Sequence, residues 1–327
     1  MNNLNLKMCV TAMAVLSTMW LVGCGKKSSA VAVDQPVAAE PAAIVKPAAT
    51  VNAGLLGLYT GQFEPSDVYL KAKKDYDAYI KKTYGDQEEE CCGVYISDLN
   101  EIPAPLRKYM YKTPLNGLYE FTSPNRLSFV LNDMRDDGTF TAISVAAGNQ
   151  RDVTGTWEQT DKGIRLVGKE PGDKPVDGTF DLVLVEKENL LSGTWTSNAE
   201  SATPKKFVLK KSEFKYEPKI GQRSDKDEYF DFGRSGFDKN PSVDVLKTAD
   251  VENLTQPQIR MIRNLVFARH GYSFGSEDLR RVFEGYDWYM PRSNDVKADL
   301  TELEKKNLAL LTRYEKYADK HYDEFGR

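Results

Sequence analysis

Histidine is nearly missing from this chain of 327 residues, which has two, His270 and His321. Neither His-Glu-x-x-His nor Cys-x-x-Cys occurs, so no cofactor and no metal site is expected. Of four cysteines, Cys91 and Cys92 are adjacent and the others are Cys9 and Cys24. The net charge of -4 is small, and acidic and basic residues are interspersed. Without a clustered basic face a nucleic-acid partner is not expected. Past Cys24 there is no apolar run of the ~20 residues that a spanning helix needs.

What is present starts at the N-terminus. Lys7 precedes an apolar stretch, Met8 to Val22, that closes on Leu21-Val22-Gly23-Cys24. At about 15 residues it falls short of a spanning helix, and small residues directly before a cysteine resemble the lipobox of bacterial lipoproteins. The resemblance implies a signal peptide over 1–23, removed on export, and lipidation of the Cys24 thiol. The partner expected is therefore a membrane, reached through the lipid. The location implied is the outer membrane, facing the periplasm or the cell surface. Export favours oxidation, and for Cys91 and Cys92 a vicinal disulfide, intermolecular pairing and two free thiols all stay open.

Residues 24–52, rich in Ala and Val with Pro36, Pro41 and Pro47, show no repeating apolar face and read as a tether. Over 53–212 the hydrophobic period is mostly two, as in Leu127, Phe129, Leu131 and in Phe180, Leu182, Leu184. Turn signals such as Asp136-Asp137-Gly138 and Gly148-Asn149 separate the runs. This predicts an antiparallel β-barrel or sandwich. Ser66 to Tyr84 interrupts it with a helical pattern of Val68, Tyr69, Tyr76, Tyr79 and Ile80. The acidic run Asp86 to Glu90 reads as a loop. Residues 213–250 have little periodicity and read as a connector, packed in part through Tyr229, Phe230, Phe232 and Phe237.

From 251 to 327 the pattern is helical. Thr255 with Gln258 forms a capping box, and Ile259, Ile262, Leu265 and Val266 make a stripe that stops at Gly271. Leu279, Val282 and Phe283 mark a second helix, and Thr301 with Glu304 caps a third. The stretch Phe267-Ala268-Arg269-His270-Gly271-Tyr272 resembles the signature of the YARHG domain, with Phe for its first Tyr. Asn264, Phe274, Phe283, Trp288-Tyr289, Pro291, Leu300, Glu304 and Asn307 follow the same family pattern. The fold class expected is thus α+β and multidomain, a β-barrel or sandwich followed by a small three-helix YARHG domain. The resemblance implies an extracellular bacterial module and names no activity. Ser144 to Asn149, Gly155-Thr156-Trp157 and Glu170 to Asp173 are similar to segments that precede YARHG domains in lipoproteins of Bacteroidetes type, with an insertion between Phe63 and Asn116. Gly155-Thr156-Trp157 and Gly193-Thr194-Trp195 are also similar to elements of lipocalin-like barrels.

Two accounts of the motif remain open. In one, Phe267, Ala268, Arg269, His270 and Gly271 end a helix: Gly271 supplies a positive φ, and Arg269 pairs with Glu284, Asp287 or Glu304. In the other, Arg269 and His270 bind a ligand. Trp288 and Tyr289 either stack on sugars or cover a small core. Asp133, Asp136 and Asp137 suit a tight turn better than a calcium loop, since no closing glutamate follows. The function expected is non-enzymatic binding or scaffolding in the envelope, toward glycan, peptidoglycan or a protein. The alternative is a carrier with an apolar cavity in a lipocalin-like barrel.

Overall fold

The computed structural model describes residues 53–85, 96–113, 117–121, 125–221 and 237–321. Cys24, the tether, Cys91, Cys92 and the acidic run lie outside these residues, as do Tyr229, Phe230 and Phe232.

Eight strands close into a barrel rather than stacking as a sandwich. They are β1 (Gly57–Phe63), β4 (Arg126–Met134), β5 (Thr139–Ala146), β6 (Asn149–Thr160), β7 (Gly163–Lys169), β8 (Gly178–Val185), β9 (Leu190–Ser197) and β10 (Lys205–Ser212). From β4 to β10 each strand pairs antiparallel with the next, and β1 closes the circle between β10 and β4. Leu58 sits opposite both Ser212 of β10 and Val130 of β4, so no edge is left on β1. Alternation fills the interior: Leu127, Phe129, Leu131, Phe180, Leu182 and Leu184 are all buried. Tyr59 and Phe207 join them, and Trp157 and Trp195 pack more loosely at the margins. At about 25 cal/mol per Å² of apolar surface, this row is the main driving force of the barrel.

Between β1 and β4 lies the predicted insertion. Ser66 caps α1 (Asp67–Tyr84), accepting from the Tyr69 amide. The chain then forms a short hairpin of β2 (Met110–Lys112) and β3 (Tyr119–Phe121). Ala72 and Ile80 face Ile96, Ile102 and Leu106 with an aromatic fringe that includes Tyr76 and Phe121. Val68, grouped with that face from sequence, is exposed.

The C-terminal part holds α2 (Thr248–Val251), α3 (Gln256–Arg269), α4 (Glu277–Glu284) and α5 (Glu302–His321). Helices α3 and α5 pack over Ile259, Ile262 and Leu311, with Leu246 and Phe237 from the preceding segment in the same core. A second core of Met261, Phe274, Phe283 and Tyr289 lies on the other side of α3. Among the described residues no helix is long and apolar enough to cross a membrane.

Both parts belong to one compact unit, Pro47–Arg327, and the joint between them is specific. Buried Arg126, at the start of β4, donates to the carbonyls of Glu284 and Tyr286 at 2.9 Å each. These are at or just past the C-terminal end of α4, where carbonyls lack helical partners. The Gly148 amide donates to Ser273 Oγ at 3.0 Å, and Gln150 Oε1 accepts from Ser293 Oγ and the Asn294 amide. Gly148 has φ 78°, and a Cβ there would collide with the backbone of Gly275.

Candidate functional site

Polar and aromatic side chains gather at two places, the signature motif and the barrel mouth. The motif closes α3. His270 is the last partly helical residue and Gly271 takes φ 73°. The Tyr272 amide donates to the Phe267 carbonyl at 3.0 Å, and the Gly271 amide to Ala268 at 2.9 Å. This is the Schellman arrangement. Its usual hydrophobic contact is present too, as Phe267 and Tyr272 place their ring centroids 5.9 Å apart.

Arg269 is 3% exposed and pairs with no carboxylate among the described residues. Its Nε donates to the Ile220 carbonyl at 2.8 Å, and its Nη1 to Asn240 Oδ1 at 2.6 Å and Ser242 Oγ at 3.0 Å. Burial lowers its pKa to about 10. The carboxylate partner expected for Arg269 goes to its neighbour: His270 Nε2 lies 2.9 Å from Glu304 Oε2. An ionised carboxylate can only accept, so Nε2 carries the shared proton. The His270 ring stacks on Tyr216 at 4.3 Å, and the Tyr216 hydroxyl donates to Glu304 Oε1 at 2.8 Å. Thr301 completes the set with its amide and hydroxyl, while the Glu304 amide donates back to Thr301 Oγ1 at 3.2 Å. Burial alone would raise the Glu304 carboxyl; the hydrogen bonds from His270, Thr301, Ser242 and Tyr216 outweigh it and bring it down to about 2.

Tyr289 is also inside, with its hydroxyl on the Tyr272 carbonyl at 2.6 Å and its ring beside Phe274 and Phe283. Trp288 is half-buried and stacks on Tyr286 at 5.8 Å. Thus Phe267, Ala268, Arg269, His270, Gly271, Trp288 and Tyr289 come together around α3 and the segment following α4. Sequence reasoning missed Tyr216, Ile220, Asn240 and Ser242, which sit in an aperiodic segment. It also passed over the Gly-x-Ser-x-Gly pattern of Gly271-Tyr272-Ser273-Phe274-Gly275. That pattern follows a helix instead of joining strand to helix, and Ser273 is buried with its Oγ on the Gly148 amide. In the β4–β5 turn, Asp137 accepts from the Thr139 amide and hydroxyl, and Asp133 pairs with Arg135.

The second place is a cavity of 630 Å³ at one end of the barrel. In a meander, the starts of β4, β6, β8 and β10 share an end with the finishes of β1, β5, β7 and β9, which brings distant residues together. Leu127 and Phe180 supply an apolar wall from the strand starts, with Phe63, Ala146 and Trp195 from the strand ends. Polar groups interrupt it. Glu170, directly after β7, is 6% exposed and accepts from Ser144 Oγ at 2.7 Å and Trp195 Nε1 at 3.1 Å. Arg151 is held by buried Asp177 at 2.9 Å. Lys205 lies over the rings of Trp195 and Phe63 at 5.3 and 5.8 Å. The joint to the helical part, through Arg126, Gly148 and Gln150, lies at this same end.

The fold and geometry define an antiparallel eight-stranded barrel with a helical module docked beside its mouth. The profile of the YARHG domain family matches residues 242–316, so the chain carries a YARHG domain there. The match begins at Ser242, inside the segment read as a connector, so of the partners of Arg269 it includes Ser242 while Ile220 and Asn240 precede it. No curated protein and no solved structure matches the chain.

Proposed function

We propose that this protein is a lipid-anchored binding protein of the bacterial outer membrane, without enzymatic activity, that takes a small molecule into the mouth of its barrel. The observation that carries the reading is the 630 Å³ cavity, whose size suits a small organic ligand and whose apolar walls hold a few convergent polar groups. In this reading the signature of the YARHG domain is an internal brace. Arg269, His270 and Tyr289 are each at most 3% exposed, and their polar groups are engaged within the chain. The domain then steadies the β4–β6 side of the mouth through Arg126, Gly148 and Gln150. Anchoring rests on Cys24 and the lipobox before it, with the Ala/Pro-rich stretch as a spacer to the envelope.

A titration with N-phenyl-1-naphthylamine, an uncharged dye, tests the site. Ala146 lines the mouth, and Ala146→Trp fills it. Wild type is expected to enhance the dye's fluorescence saturably, and Ala146→Trp to lose that enhancement while melting normally. Equal enhancement by both proteins overturns the mouth as the binding site.

A further inference from the structure

We propose that the barrel mouth selects an organic ammonium group carried on an apolar body, with Glu170 as its counter-ion. The inference rests on the mouth being the ligand site, and it comes from the balance of charge and hydrogen bonding along the wall. Glu170 is more than nine-tenths buried, yet both donors it accepts from, Ser144 Oγ and Trp195 Nε1, are neutral. Among the described residues no lysine or arginine forms an ion pair with it. A carboxylate offers about four lone-pair directions, so two remain to be filled. Leaving a shielded carboxylate without a cation is costly, and a ligand that brings the cation recovers that cost.

A second observation points the same way. Asn125, another residue of the cavity lining, has a buried Oδ1 with no hydrogen-bond partner among the described residues. Both unfilled positions are therefore acceptors. An ammonium group supplies three donors and no acceptor, whereas a carboxylate or phosphate supplies none in its ionised form. The cations of the mouth offer less to an anion. Arg151 is neutralised by Asp177 at 2.9 Å, and the Lys205 side chain is exposed to water, which solvates its charge. Leu127, Phe180 and Ala146 give the apolar body of the ligand its contact surface.

Three probes with one body separate the possibilities: 4-phenylbutylamine, 4-phenylbutanol and 4-phenylbutyrate, titrated calorimetrically into the full chain at neutral pH. The amine is expected to bind about tenfold or more tighter than the alcohol, as a charge-assisted hydrogen bond requires. Glu170→Gln keeps the shape and is expected to erase that preference, while Ala146→Trp blocks all three probes. An alcohol or carboxylate that binds as well as the amine overturns the ammonium assignment, whether or not Glu170→Gln folds. So does an amine preference that survives in Glu170→Gln. If the three bind equally and Ala146→Trp blocks them, the mouth stands as the site and only the ligand class falls. If none binds to wild type, both fall.

Discussion

Two buried glutamates of the helical region have opposite surroundings. Glu304 is surrounded by donors and its carboxyl is drawn down from an ordinary 4.5 to about 2. Stability from this group is therefore complete above about pH 4.5 and is lost as the pH falls toward 2. Glu304→Gln should flatten that part of a pH–stability curve measured by denaturant unfolding. Glu284 is the reverse case. Burial pushes it up to about 7, its nearest cation, Arg280, is 3.9 Å away, and its Oε2 has no hydrogen-bond partner among the described residues. Its folded form holds a proton that the unfolded chain has released, so stability falls as the pH rises from about 4.5 to 7. Glu284→Gln should leave stability unchanged at pH 4 and raise it at pH 8. A variant no more stable than wild type at pH 8 would show that the carboxylate is better compensated than its geometry indicates.

At the scale of elements, the end of α3 gathers most of the motif's structural work. Gly271→Val places a Cβ 2.7 Å from the Met290 carbonyl in a left-handed backbone, and should cost about 1–3 kcal/mol by thermal melting. Arg269→Ala strands the Ile220 carbonyl in a buried site and removes one of the donors to Asn240 Oδ1, for a loss of roughly 2–4 kcal/mol. A normal melt for either variant would remove the brace from the account. The helix end was legible in the sequence because its signals are local: a stripe of Ile259, Ile262, Leu265 and Val266, then glycine. The partners of Arg269 were not, because Ile220, Asn240 and Ser242 sit in a segment with no period and are related to α3 only by packing. Strand alternation was legible for the same local reason, as Phe180, Leu182 and Leu184 show. The choice of barrel over sandwich was not, since closure depends on β1 meeting both β10 and β4, a long-range pairing that no local pattern encodes. The mouth is a product of that closure, which is why Glu170 drew no notice beyond its place in a segment similar to those that precede YARHG domains.

For the molecule as a whole, the anchor and the upstream partners of Arg269 make separate predictions. Cys24→Ala should leave an unprocessed precursor, and fractionation should show no mature, lipid-modified protein; cleavage after Gly23 in that variant would contradict the lipobox. The upstream partners of Arg269 imply that a fragment starting at Asp250 melts below one starting at Glu213. The central claim is that ligand meets the barrel mouth and not the YARHG signature. Indole N–H resonances test it most directly, because Trp195 lines the mouth and Trp288 lies within the YARHG domain. On titration with the small-molecule fraction of an envelope extract, the Trp195 resonance should shift saturably while Trp288 stays in place. A shift at Trp288 with Trp195 unmoved would contradict the account.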